Sequence, residues 1–134
     1  MQVFISYSYE TKALAQKVGE ALKRAGLVVW NDQEILPGDN WAEKIAEALE
    51  QSQAMVVLLT PDALRSTTVR REIDYALSRK SFNKRLIPVL VGSEDDILFE
   101  DLPWILRHLN VIKIPAGKQE EGINQITRAL QAVA

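Results

Sequence analysis

The side chains of this sequence that could do chemistry are carboxylates and hydroxyls, because cysteine is absent and histidine occurs once. Disulfides, thiolate or multi-histidine metal sites and cysteine nucleophiles are therefore excluded. A serine–histidine–aspartate triad would depend on His108 alone. The carboxylate of greatest interest is Glu72, which lies three residues after Val69 and four before Ala76, so these side chains would be neighbours on a helix.

Glu72 thus borders an apolar stripe near the start of its predicted helix. Burial of an unpaired carboxylate is costly, so this side chain needs either a role or a partner. It is either a catalytic carboxylate beside a crevice or a surface glutamate paired with Arg70, Arg71 or Arg79. Without further context, the surface interpretation is the ordinary one.

Polar side chains also follow two short apolar runs, at residues 3–5 and 27–30. They are Ser6, Tyr7 and Ser8 after the first run, and Asp32 and Glu34 after the second. These residues either bind a ligand or form a polar turn and an Asx-type turn. The loop after the first run has no glycine, so it is neither a dinucleotide fingerprint nor a Walker phosphate loop.

The elements that would position these residues alternate between two periodicities. Short apolar runs predict strands at 3–5, 27–30, 54–60, 86–91 and 111–114, and apolar residues at helical spacing predict helices between and after them. Helix boundaries are also predicted. Gly26 is predicted to end the first helix. Asn40 is predicted to cap the helix that follows the second strand, and either Ser66 or Thr67 is predicted to cap the helix that carries Glu72.

This alternation is typical of a parallel sheet with helices on both faces. We predict an α/β fold of the flavodoxin-like, three-layer kind, with a five-stranded parallel sheet, as one domain over residues 1–134. Ligands of such folds bind beyond the carboxyl ends of the strands. A phosphate-receiver domain has a similar length but needs acidic residues after the first and third strands. Here those places hold Ser6-Tyr7 and Thr60-Pro61, so we set that alternative aside.

Composition and charge exclude further classes. Hydrophobic residues make up 47% of the chain and charged residues 25%, the balance of a soluble globular domain. The apolar runs are far shorter than the roughly 20 residues that span a bilayer, and the start of the chain lacks a signal-peptide pattern. The net charge of −2 offers nucleic acid no general attraction. We predict a cytoplasmic location, no membrane segment and no nucleic-acid partner.

Four motifs resemble those of Toll/interleukin-1 receptor (TIR) domains, in the same order and spacing. The first TIR signature is similar to VFISYS at 3–8, and the second signature with its BB loop is similar to WND at 30–32 and ILPGD at 35–39. The segment leading into the third TIR helix resembles STTVRREI at 66–73, and the fourth strand resembles LIPVL at 86–90. The sequence is therefore identified as a TIR domain. Its short BB region with Pro37-Gly38 resembles bacterial and plant members more than animal receptor domains.

The resemblance implies one of two kinds of function. Some TIR domains cleave NAD+ at the nicotinamide–ribose bond, releasing nicotinamide and ADP-ribose or a cyclised isomer. Others are non-catalytic adaptors that bind further TIR domains. Enzymatic members carry a glutamate on the third helix, at the position of Glu72, so the resemblance favours the catalytic interpretation. NAD+ is then the substrate, no separate cofactor is expected, and a role in immune or anti-phage defence signalling is implied.

The resemblance also implies where the substrate binds. The strand-end residues would meet nicotinamide or phosphate, the acidic residues the ribose, and the BB loop would gate the pocket and mediate self-association. The predicted substrate contacts are Ser6, Tyr7, Ser8, Asp32, Glu34, Leu36, Gly38, Trp41 and Thr68.

One position departs from the enzymatic pattern. Members with activity often have a tryptophan four residues before the glutamate, where this sequence has Thr68, so Trp41 or Tyr7 would have to supply the ring. A nucleoside deoxyribosyltransferase-like enzyme also works at ribose C1 with a glutamate. The Pro37-Gly38 loop fits TIR domains better.

Charge is unevenly spread along the chain. Seven basic and two acidic residues lie between Arg65 and Arg85, and five acidic residues and no basic one lie between Glu94 and Asp101. These blocks are either solvated faces or complementary surfaces for head-to-tail contacts between copies.

Overall fold

A five-stranded parallel sheet forms the centre of the structure, a computed structural model that describes residues 1–30, 38, 40–79, 85–92, 102, 104–115 and 117–133. Its spatial order is β2-β1-β3-β4-β5, and all neighbouring strands run parallel. The strands are β1 (Gln2–Ser6), β2 (Val28–Trp30), β3 (Ala54–Leu59), β4 (Leu86–Val91) and β5 (Ile112–Ile114). The predicted strands and their parallel arrangement are confirmed.

Helices connect these strands. They are α1 (Lys12–Arg24), α2 (Trp41–Gln51), α3 (Pro61–Arg65), α4 (Thr67–Ser78) and α5 (Gln119–Val133), with 3₁₀ turns at Tyr9–Thr11 and Leu106–His108. No helix in the described parts of the chain is long and apolar enough to cross a membrane.

The predicted boundary residues act as expected. Gly26 follows the end of α1 with a φ of 90°, a conformation that favours glycine. The Asn40 side chain accepts a hydrogen bond from the Glu43 amide at 3.3 Å and so begins α2. Ser66, rather than Thr67, caps α4 by accepting from the Val69 amide at 3.3 Å.

The short helix α3 is an addition to the predicted elements. The apolar run at 54–60 ends as a strand at Leu59, because Thr60 instead caps α3 by accepting from the Ala63 amide at 3.1 Å. Pro61 occupies the first helical position, where its missing N–H costs nothing. The segment that carries Glu72 is therefore helix α4, the fourth α-helix among the residues that the structure describes.

Both faces of the sheet are covered, and side chains of β1 alternate between two buried clusters. Val3 and Ile5 pack with residues of α1 and α5 on one face. Phe4 packs with residues of α2, α3 and α4 on the other face. Every residue of β3 is buried, as expected for a central strand of a parallel sheet. The predicted three-layer fold is confirmed.

The chain changes direction across the sheet between β1 and β3. From β1 it passes through α1 to the edge strand β2, whereas from β3 it continues to β4 and β5 on the opposite side. A crevice forms at the carboxyl ends of the strands at such a switch point, and ligands of open α/β sheets bind there.

Candidate functional site

The side chain of Glu72 is buried, with only 6% of its surface exposed. It shares α4 with the buried residues Val69, Ile73 and Ala76, so the predicted apolar stripe is correct. The interpretation of Glu72 as a surface residue is therefore wrong, because its side chain faces the protein interior together with the apolar stripe of α4.

Two of the three arginines proposed as surface partners make other contacts. The Nε of Arg70 donates to the Leu64 carbonyl at 2.6 Å. The guanidinium of Arg79 lies 5.3 Å from the centre of the Tyr75 ring, within range of a cation–π contact.

Ser6 and Glu72 meet in a buried hydrogen bond. The Ser6 hydroxyl donates to Oε1 of Glu72 at 2.7 Å, and Ser6 itself is 1% exposed. Ser6 is the last residue of β1, so the contact lies at the carboxyl end of that strand, beside the switch point. The fold thus unites two predicted site residues that are 66 positions apart.

The two residues after Ser6 have different surroundings. Tyr7 packs against the cluster on the α1 face, whereas Ser6 faces α4. Ser8 precedes the first 3₁₀ turn, and its carbonyl accepts from the Thr11 amide and hydroxyl at 3.0 Å. The Oγ of Ser8 is buried and has no hydrogen-bond partner among the described residues.

A groove of about 720 Å³ runs along α1 on the face of the sheet that is opposite Glu72. Tyr7, Lys12 and Trp30 line the end of the groove that is near the carboxyl ends of the strands, and Lys23 lines it near the C-terminus of α1. This volume is typical of ligand pockets, yet the described lining does not include Glu72. Because Glu72 is a buried carboxylate at the carboxyl end of β1, we take it, rather than the groove, as the candidate site.

Three other predicted contacts lie at or before the starts of helices. Trp41 is the first residue of α2 and is 49% exposed. Thr68 is exposed in the first turn of α4, about one helical turn before Glu72. Gly38 is exposed and has a φ of 91°, which favours glycine. Helices that follow parallel strands begin near the carboxyl ends of those strands, so these residues lie at the same end of the sheet as Ser6.

Several predicted features lie outside the described residues. They are the acidic residues Asp32 and Glu34, Leu36 of the BB loop, and the acidic block from Glu94 to Asp101. Self-association through the BB loop therefore stays a prediction.

Trp30 and His108 each make an aromatic contact. The Trp30 ring stacks on Phe4 with centroids 5.4 Å apart, a core contact. His108 is exposed and meets the edge of Trp104, 5.8 Å between centroids. Within the described ranges, no group of three or more His, Asp and Glu side chains is arranged to hold a metal ion.

Comparison with protein families assigns the chain. A family model described as "TIR domain" matches residues 3–127. The chain therefore belongs to the TIR domain family, as its motifs indicated.

Individual relatives agree with this assignment. An alignment of 102 residues, which covers 68% of this chain, gives 38% identity to the NAD(+) hydrolase ApTIR of Actinoplanes sp.. It spans only 14% of the length of that curated relative.

Solved TIR structures have the same fold. The TIR domain of the Toll-related receptor TRR-2 from Hydra magnipapillata superposes with a TM-score of 0.73 at 22% identity, covering 96% of this chain and 97% of that one. The TIR domains of the activated Roq1 resistosome give a TM-score of 0.70 at 18% identity, covering 99% of both chains.

Proposed function

We propose that this TIR domain hydrolyses NAD+ at the nicotinamide–ribose bond, with Glu72 as the catalytic carboxylate. The observation that carries the proposal is the buried Glu72 carboxylate at the carboxyl end of β1, where this fold class binds ligands. Similarity to the NAD(+) hydrolase ApTIR supports the same reaction class. NAD+ is the substrate, and the reaction calls for no separate cofactor.

The chemistry explains how one carboxylate suffices. Glycosidases ordinarily pair two carboxyl groups because a poor leaving group must be protonated while an oxocarbenium-like centre forms. In NAD+ the C1′–N bond breaks with its electron pair moving to the pyridinium nitrogen, so nicotinamide leaves as a neutral molecule without a general acid. Glu72 stabilises the positive charge that develops on the ribose. Water then bonds to C1′ and loses a proton, which gives ADP-ribose; attack by the adenine ring gives a cyclic isomer instead.

A non-catalytic TIR adaptor is the second candidate. The observation that favours it is Thr68, an exposed threonine at the position where enzymatic members often offer a tryptophan ring to the substrate. An adaptor of this kind would act through binding other TIR domains, by way of the BB loop.

The proposed setting is cytoplasmic immune or anti-phage defence signalling, with activity that depends on self-association. Support for assembly comes from the similarity to the TIR domains of an activated resistosome.

The first test is release of nicotinamide from NAD+ by the purified chain over a wide range of protein concentrations. We expect release, and we expect the activity per molecule to rise with protein concentration because association completes the active form. Chromatography of the second product distinguishes ADP-ribose from a cyclic isomer. Absence of release at the highest concentration would favour the adaptor.

Restoring an aromatic ring at position 68 should improve substrate binding. We expect Thr68→Trp to lower KM for NAD+ about threefold to tenfold, because stacking on a nucleobase-like ring contributes about 1 kcal/mol or more. The matched control is Arg71→Trp, which adds the same ring at another exposed position of α4. Steady-state kinetics check this prediction, and an equal fall of KM in both variants would contradict it.

A further inference from the structure

We infer that Ser6 is a positioning residue for Glu72: its hydroxyl holds the carboxylate in one orientation and favours its ionised form. This inference rests on the proposed function, in which that carboxylate is the catalytic group.

The geometry of the contact is that of a well-formed hydrogen bond. The separation of 2.7 Å between Oγ of Ser6 and Oε1 of Glu72 is a usual O–H···O distance and also lies at the upper end of the range for bonds to ionised oxygens. The two residues are 1% and 6% exposed, so water competes little for the interaction. A hydrogen bond in such surroundings is electrostatically stronger than one in water.

The strand makes Ser6 a rigid donor. Strand β1 is paired on both sides, with β2 and β3, and Ser6 itself lies opposite Val57 of β3. Glu72 reaches this hydroxyl from α4, whose start is fixed by the Ser66 cap. Two separately anchored elements therefore meet at this bond, and it sets the position of the carboxylate relative to the crevice.

The bond also changes the role assigned to Ser6. A serine hydroxyl carries one proton, and Ser6 donates that proton to Glu72, so it has none left to donate to nicotinamide or phosphate. The sequence predicts Ser6 as a substrate contact, whereas the geometry directs its hydroxyl proton to Glu72.

The strands β1 and β3 beside this contact contain no ionisable side chain. Arg107 follows Leu106, which is buried in the same cluster as the apolar residues of α4, and its Nε is buried with no hydrogen-bond partner among the described residues. On α3, Asp62 and Arg65 pair with each other at 2.6 Å on the surface, and the hydrogen bond from Arg65 lowers the pKa of Asp62. The charged neighbours of Glu72 on α4 itself are exposed: Arg70, Arg71 and Asp74.

The test combines two variants with two measurements. Ser6→Ala removes the hydroxyl, and Ser6→Cys nearly keeps its volume while replacing it with a weak donor. Carbon-13 NMR follows the Glu72 side-chain carboxyl against pH, and steady-state kinetics follow nicotinamide release. In both variants we expect the Glu72 titration midpoint to move to higher pH, because the ionised form loses or weakens the hydrogen bond donated by Ser6. We expect kcat to fall about tenfold with KM nearly unchanged.

Ser52→Ala is the matched control. Ser52 is also buried, and its hydroxyl donates to the Ala48 carbonyl at 2.6 Å, but it lies before β3 at the opposite edge of the sheet. Its loss should leave both the Glu72 midpoint and kcat unchanged.

The outcomes separate this inference from the proposed function. A Glu72 midpoint that stays in place in both Ser6 variants overturns the inference, as does a Ser6→Cys protein that matches the wild type. A raised KM at unchanged kcat also overturns it, because Ser6 would then bind substrate directly. If the midpoint moves but the wild type releases no nicotinamide, the proposed catalytic function fails while the positioning of Glu72 stands.

Discussion

Replacement of Glu72 by glutamine should lower kcat for nicotinamide release about a thousandfold. Glutamine keeps the shape of the side chain and can still accept the hydrogen bond from Ser6, so the fold should be retained. What is lost is the negative charge that stabilises the ribose cation, and the loss of a single preorganised electrostatic contact of this kind costs about two to three orders of magnitude. The measurement is a single-turnover assay at saturating NAD+.

The control for this effect is Asp74→Asn. It makes the same change of charge two residues further along α4, on an exposed side chain, and should leave turnover unchanged. Circular dichroism and thermal unfolding of Glu72→Gln should show that the variant remains folded. Wild-type turnover by Glu72→Gln would remove this carboxylate from the mechanism, and the Ser6–Glu72 contact would then be purely structural.

The fold could be predicted because its signals are local. The strand at 86–91 matches β4 at both ends, and the helix boundaries at Gly26, Asn40 and Ser66 each depend on one residue and its immediate neighbours. The signal for α3 was equally local. Thr60 is a capping residue and Pro61 is a proline at the first helical position. The apolar run before them led to a predicted strand that ended at residue 60, one residue later than β3 ends.

The candidate site was less predictable because it depends on non-local contacts. Helical spacing indicated that Glu72 borders the core, but not which group would bond to it, since Ser6 is 66 positions away. The sequence predicts both Ser6 and Tyr7 as contacts in one pocket, but successive side chains along a strand point to opposite faces of the sheet. Ser6 faces α4 and Tyr7 packs on the α1 face, so a single ligand contacts both only at the carboxyl edge of the sheet.

Gly122→Ala should destabilise the domain by about 2 kcal/mol. Helix α5 approaches β5 so closely at this glycine that an added Cβ would lie 2.4 Å from Cγ1 and 3.2 Å from Cβ of Ile114. Rotation of the isoleucine offers little relief, because a β-branched side chain brings its second branch toward the same space. Overpacking of this kind costs about 1–3 kcal/mol or more, which exceeds the roughly 1 kcal/mol that alanine contributes in a helix. Urea unfolding should show a lower midpoint with an unchanged slope.

Gly19→Ala tests whether the close approach of α5 to β5, rather than the replacement of a glycine as such, causes the expected loss of stability in Gly122→Ala. Gly19 is also a buried helical glycine, but a Cβ there would lie 3.6 Å from Val29 and 3.7 Å from Ile5, which are ordinary contact distances. Its stability should therefore stay level or rise by up to about 1 kcal/mol, since only the helix preference changes. Equal behaviour of the two variants would contradict the tight packing of α5 on β5. Because α5 covers the face opposite Glu72, Gly122→Ala should weaken the fold without changing KM for NAD+ in the molecules that remain folded.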